Sequence, residues 1–275
     1  MISRRLYRFS HLALDAMCGV SGCLIFLILL LGFSSMACGR CVHRSKAGYF
    51  SSLSALSAGT CGYGSMTLGL SGGYVAAASS ALLRGGVACG ACFQVRCRNT
   101  RICRGGGVKV ILTDLNESND TDLVLSRPAF VAMARHSAVG ELEKLGTVDV
   151  EYKRIPCEHT KNLSIKVEEK RRSPNVLAIK FLYQGGQTDI GAVDVAQEGS
   201  SDWRFMSRVF GPVWSTSRAP PGPLQLRMVV TGGYGGKWVY AQSEALPVDW
   251  RTGSVYDLGV QITDIARGVA AKDCK

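Results

Sequence analysis

The chain has 275 residues, of which 47% are hydrophobic and 19% charged, and its formal net charge is +11. This balance is that of packed globular protein, excludes a disordered polymer, and provides for one large or two ordinary domains. The excess of Lys and Arg points to an acidic matrix such as charged polysaccharide, with plain solubility as the alternative.

The N-terminus reads as a secretory signal over residues 1–37. Arg4, Arg5 and Arg8 precede the apolar run LIFLILLLGF (Leu24 to Phe33), and small residues follow to Ala37. The rival is an uncleaved anchor, because the uncharged stretch from Ala16 to Phe33 approaches the length of a bilayer span. With cleavage, the expected protein is secreted, has no stable membrane association, and meets no nucleic acid. Of the eleven cysteines, Cys18 and Cys23 fall in the signal, while Cys61, Cys89, Cys92, Cys97, Cys103 and Cys157 crowd together. In an oxidising compartment such a cluster reads as a disulfide framework. Zinc is the rival, but His43, His136 and His159 show no ligand spacing with a Cys pair, so no metal and no cofactor is expected.

From Cys41 to Cys157 the sequence is rich in Gly and Cys, with strand-like runs AGYF, CFQVRC, VKVILTDL and VDVEYKRIP between turns. Ser126 to Ser137 is predicted as a helix, opened by Ser and Pro in capping order with Phe130, Met133 and Ala134 on one face. After Cys157 no cysteine appears until Cys274, and LSIKV, VLAIKFLYQ, GAVDVA, LQLRMVVTG and KWVYAQ alternate at period two, as in an antiparallel sandwich. The change of character places a boundary near residues 158–161. The charge run EEKRR (Glu168 to Arg172) reads as a solvated hairpin loop.

Several ordered motifs resemble plant expansins: CGYG at Cys61 to Gly64, CGACFQVRC at Cys89 to Cys97, TDLN at Thr113 to Asn116, VDVEYKRIPC ending at Cys157, AVDVAQEGSSDWRFMSR ending at Arg208, and GPVW at Gly211 to Trp214. CVHRSKAGYFSSLSAL, KFLYQGGQTDI and GVQITDIA resemble the expansin-like A branch in particular. The resemblance implies a mainly β protein. Its expected parts are a signal peptide (1–37), a six-stranded double-psi β-barrel related to family-45 endoglucanases (38–158), an immunoglobulin-like β-sandwich that binds polysaccharide (162–257) and a C-terminal tail (258–275). It also implies the disulfides Cys61–Cys89, Cys92–Cys157 and Cys97–Cys103, and leaves Cys38, Cys41 and Cys274 without a partner.

The segment TDLNESNDTDLVLS (Thr113 to Ser126) holds the carboxylates that a glycosidase would need, an acid on the leaving oxygen and a base on water. The family's acid lies in a His-Phe-Asp motif shortly before an Ala-Phe pair. An ungapped count from Ala129 and Phe130 puts Val124 at that acid, whereas a gapped one keeps an acid at Asp122. Asp114 holds a family carboxylate position, and Gly48 replaces an early Thr. Asp114 and Asp122 are therefore candidates for a vestigial cleft, and no catalytic residue is assigned. Asn116, Asn119 and Asn162 open acceptor triplets for N-glycosylation, and a glycan on either of the first two would crowd the cleft.

Sugars stack their C–H faces on exposed rings. By family matching, Tyr183 and Trp214 are the platform candidates, with Trp238 at the GGYGGKW turn and Tyr49 in the barrel as further ones. Phe210 stands where the family has a Trp. Burial is the competing reading for each ring. The expected function is a wall protein, monomeric and not an enzyme, that binds cellulose or hemicellulose noncovalently, with pectin as the acidic alternative, and that aids loosening without hydrolysis. The rivals are a residual endoglucanase or lytic glycosidase using Asp114 and Asp122, and a passive wall-binding structural protein.

Overall fold

The computed structural model describes residues 42–50, 59–168, 175–232, 235–242 and 244–265. The predicted signal, Cys38, Cys41, Cys274 and most of the EEKRR run lie outside the described residues. Six strands close into a barrel: β1 (His43–Phe50), β2 (Val75–Ala78), β3 (Cys92–Cys97), β4 (Val108–Leu115), β5 (Leu123–Ser126) and β6 (Val148–Ile155). Their order around the barrel is β1-β5-β2-β4-β3-β6, with β1/β5 and β2/β4 parallel and the other pairs antiparallel. This is the six-stranded barrel that the motifs imply. Closure leaves no sheet edge exposed, which suits strands as short as β2 and β5.

Alternation fills the barrel: Val95, Val110, Leu112, Leu123, Leu125 and Val150 point inward and are fully buried or nearly so. Three disulfides staple its loops, Cys61–Cys89, Cys92–Cys157 and Cys97–Cys103, with Cα separations of 5.6, 5.3 and 5.9 Å. The predicted helix is shorter than its pattern, spanning Arg127–Ala132 with Ser126 Oγ accepting from the Ala129 N–H at 3.4 Å. It stops because the next carbonyls are taken by another segment: Arg104 N–H donates to Met133 O, and Arg104 Nε to Ala134 O.

The second domain contains β7 (Ser164–Val167), β8 (Leu177–Leu182), β9 (Asp189–Gln197), β10 (Arg204–Phe210), β11 (Val213–Thr216), β12 (Leu224–Thr231), β13 (Lys237–Tyr240) and β14 (Val255–Asp257). They form one curled antiparallel sheet in the order β13-β12-β9-β10-β11-β8-β7-β14. The curl occurs at β10, whose first half pairs with β9 and whose second half pairs with β11 across a register shift at Arg208/Phe210. The two halves thus face each other across a shared core of Ile165, Ile179, Val193, Met206, Trp214, Leu226 and Met228. Leu258 and Ile262, which the sequence reading places in a tail, are buried in that same core.

Candidate functional site

Gly48, Val124, Ala77 and Asp114 are successive register partners across β1, β5, β2 and β4. Cross-strand partners share a face, so these four line one row of the barrel. Leu123 and Leu125 point into the core, which leaves Val124 on the opposite, partly exposed face. The row therefore sets a single carboxylate, Asp114, against an apolar side chain one strand beyond Ala77.

Asp114 is already engaged. Its Oδ1 accepts from the backbone N–H groups of Thr60 at 2.6 Å and Leu115 at 2.8 Å. Asp122 immediately precedes β5, two residues before Val124, and its Oδ2 accepts from the Tyr152 hydroxyl at 3.2 Å. Burial, and then the Asp122 charge, push the Tyr152 hydroxyl up, which keeps it a proton donor to that carboxylate at any physiological pH. The two cleft candidates are thus held by different protein donors.

The segment Gly59 to Gly62 carries this cleft toward the second domain. Thr60 is bound to Asp114, Cys61 is in a disulfide, and Gly62, at φ +64°, meets two residues of the second domain. The buried Lys180 of β8 donates from Nζ to Gly62 O at 2.5 Å and pairs with Glu168 at 2.6 Å. The ring of Phe210 lies so close that a Cβ on Gly62 would stand 3.2 Å from its Cε2. Phe210 is nonetheless 46% exposed, so its side chain stays accessible beside the barrel.

Other contacts lock this seam. Asp189 of β9 takes Arg154 of β6 at 2.8 Å and Arg84 at 3.0 Å, one guanidinium per carboxylate oxygen. Cys157 and Gly186 exchange backbone hydrogen bonds at 2.8 and 3.0 Å, and Leu182 packs into the barrel's core. Gly86 approaches Gly211 so closely that a Cβ there would lie 2.6 Å from the Gly211 backbone.

One expected platform ring, Trp214, is corrected by its placement, and Tyr49 is partly buried. Trp214 is 3% exposed: it pairs in register with Ile179 on the core side of the sheet, and the Arg208 guanidinium lies 4.3 Å from its ring centre. It is a core residue, and a core ring cannot stack on a polymer. Tyr49 alternates away from the Gly48 row, and its ring stacks on buried Phe130 with centroids 4.7 Å apart. Tyr183, at φ +58°, is half-buried at the seam, with Lys161 Nζ 4.9 Å from its ring centre and the His159 ring edge-on at 5.8 Å. Trp238 is 43% exposed on the second domain and flanked by Arg227, whose guanidinium carbon is 4.3 Å from its ring centre.

The acceptor triplets differ in access. Asn116 Nδ2 donates to Thr121 O at 2.6 Å and Thr121 Oγ1 at 3.1 Å, so a glycan there, which leaves Nδ2 a single proton, would have to displace at least one of these bonds. Asn119 is exposed, and Asn162 is exposed with Nδ2 3.4 Å from Asp257 Oδ2. Among the described residues, no group of three or more His, Cys, Asp and Glu side chains is placed to hold a metal ion, and no helix is long and apolar enough to cross a membrane.

The sequence matches two family models, one described as expansin C-terminal domain over residues 163–247 and one described as lytic transglycolase over residues 75–152. Expansin-like A3 of Oryza sativa subsp. japonica is 56% identical over 237 residues, covering 84% of this chain and 86% of that protein. Expansin-like A1 of Arabidopsis thaliana is 53% identical over 248 residues, covering 89% and 93%. The crystal structure of apo Clavibacter michiganensis expansin shares the fold, with a TM-score of 0.58 at 20% identity over 80% of this chain and 97% of that one. A mutant of the same protein in complex with cellohexaose superposes with a TM-score of 0.55 at 18% identity, over 83% and 100%. The two domains, their order and these identities over most of the chain lead to one conclusion: the chain belongs to the expansin-like A family.

Proposed function

We propose that this protein is secreted to the plant cell wall, where as a monomer it binds a wall glucan noncovalently across the domain seam and cleaves no glycosidic bond. The observation that carries the reading is the exposed Phe210 side chain against Gly62, continuous through Gly59–Gly62 with the Asp114 row. A polymer lying along that path would stack on the ring and exchange hydrogen bonds with the cleft floor, and many weak contacts on a rigid surface sum to useful affinity. The fold-related expansin solved with cellohexaose supports a glucan as the class of ligand.

The non-hydrolytic part rests on chemistry. Both inverting and retaining mechanisms need two carboxyl groups flanking the bond. Here the row carries Val124 two strands from Asp114, with Ala77 between them, while Asp114 and Asp122 each accept from protein donors. Loosening, where it occurs, would follow from replacing glucan–glucan contacts by protein–glucan contacts. The test combines cellulose sedimentation, reducing-end assay on soluble β-glucan, and extension of isolated walls. The reading expects retention on cellulose that falls several-fold in Phe210→Ala, with no sustained release of reducing ends. Turnover abolished by Asp114→Asn would overturn it in favour of a residual endoglucanase. Binding without wall creep would leave a passive adhesive role.

A further inference from the structure

The second domain presents an aromatic array that neither the barrel row nor the seam uses. Phe205, Asp194, Arg227 and Tyr240 are successive register partners across β10, β9, β12 and β13, and so share one face. The adjacent row, Met206, Val193, Met228 and Val239, turns the other way, and its first three members are fully buried. The Phe205 row therefore faces outward, on the half of the sheet opposite the strands that carry Lys180 to the barrel. Trp238 stands two residues from Tyr240 along the same strand and face.

These rings are fixed in place. The Arg227 guanidinium carbon lies 4.3 Å from the ring centres of both Trp203 and Trp238, so the cation is held between two indoles. Tyr240 meets Trp203 edge-on with centroids 6.3 Å apart. Yet Phe205 is 62% exposed and Tyr240 52%, and Trp238 also remains open. Rings ordered before binding lose little freedom when a ligand arrives.

Charge selects the occupant. Arg227 donates from Nε to Asp194 Oδ2 at 2.9 Å, and the cations at the margins, Arg204 and Lys237, are paired with Asp202 at 2.5 Å and Asp264 at 3.3 Å. A face with apolar rings, neutralised cations and hydrogen-bonding rims fits an uncharged polymer of alternating C–H faces and hydroxyls better than an anionic one. We propose that the Phe205–Trp203–Trp238–Tyr240 face is a second stacking platform for an uncharged glucan, separate from the seam, so that one molecule can hold two chains. This rests on the polysaccharide-binding reading above and adds a second site to it.

The test is amide chemical-shift mapping of the 15N-labelled mature protein titrated with cellohexaose, alongside sedimentation equilibrium without ligand. Two separate groups of shifts are expected, one at Gly59–Gly62 and β8, the other at β12 and β13. The β12–β13 shifts should shrink at least five-fold in Trp238→Ala/Tyr240→Ala and at least two-fold in Phe205→Ser, a variant that leaves the Arg227 clamp in place. Shifts confined to the seam, or β12–β13 shifts that persist in both variants, overturn the second platform alone. Shifts nowhere overturn the polysaccharide reading together with it. A wild-type dimer dissolved by these same substitutions would assign the face to a second copy of the chain and overturn the proposal.

Discussion

Asp114 holds the backbone N–H of Thr60 at 2.6 Å, and with it the start of the segment that reaches the second domain. That bond makes the residue a structural anchor. Asp114→Ala should leave the Thr60 and Leu115 N–H groups without their acceptor and lower stability by about 1–3 kcal/mol. Asp114→Asn keeps an acceptor oxygen and should lose clearly less. Urea unfolding of both variants reads the difference, and equal losses would contradict the anchoring role.

Lys180 does similar work from the other side of the seam. Its side chain is 5% exposed, donates to Gly62 O, and pairs with Glu168, which is 27% exposed. Removing one partner of a buried pair strands the other, and the partial exposure of Glu168 softens that penalty. Lys180→Met, which keeps most of the stem, should therefore cost about 2–3 kcal/mol in denaturant unfolding. It should also weaken retention on cellulose, because the segment under Phe210 loses its tether. A variant as stable as the parent would show that the ammonium contributes nothing to the seam.

Much of this architecture is legible in the sequence where alternation is strong and long. CFQVRC and VKVILTDL coincide with β3 and β4, and the LQLRMVVT alternation with β12. The strands that escape the pattern are short or apolar on both sides. VAAA of β2 is buried throughout with Ala at three of its four positions, and LVLS of β5 hides behind an acidic loop. The helix Val139–Leu145 is also missed, having only one fully buried side chain to mark its face. The motif order identified Phe210 and Trp214 as a pair but not which was exposed, because the register shift at Arg208/Phe210 decides their phase. Arg227 gave no signal at all, since its partners Trp203, Trp238 and Asp194 come from three separate segments. Lys180 did leave a trace: a lone cation inside the apolar strand LAIKFL is a buried charge awaiting a partner.

Arg227 permits a test of geometry against charge. Arg227→Met removes the plane between Trp203 and Trp238 and leaves Asp194, itself nearly buried, without its ion pair. A loss of about 2–4 kcal/mol follows from the stranded carboxylate and the lost stacking. Arg227→Lys keeps the charge but offers no flat guanidinium for two indoles, so it should recover only part of that loss. Full rescue by Lys, measured by urea unfolding, would show that the stacked arrangement has no energetic role.

His159 gives the fold a pH dependence with a definite sign. It lies half-buried in the linker between the domains, edge-on to Tyr183, with Lys161 over the same ring. Burial holds its imidazole below the ordinary value of 6.5, and a backbone hydrogen bond with Gln184 offsets only part of that shift. Above 6.5 both folded and unfolded states carry it neutral, so it adds no slope. As the pH falls below 6.5 the unfolded chain takes up the proton first, which favours unfolding, and the penalty stops growing once the folded pKa is passed. His159→Gln cannot take up that proton, whereas carboxylate protonation affects parent and variant alike. Melting temperatures compared between about pH 7 and pH 5 should therefore fall more steeply in the parent than in the variant, and parallel curves would contradict the buried neutral state of this histidine.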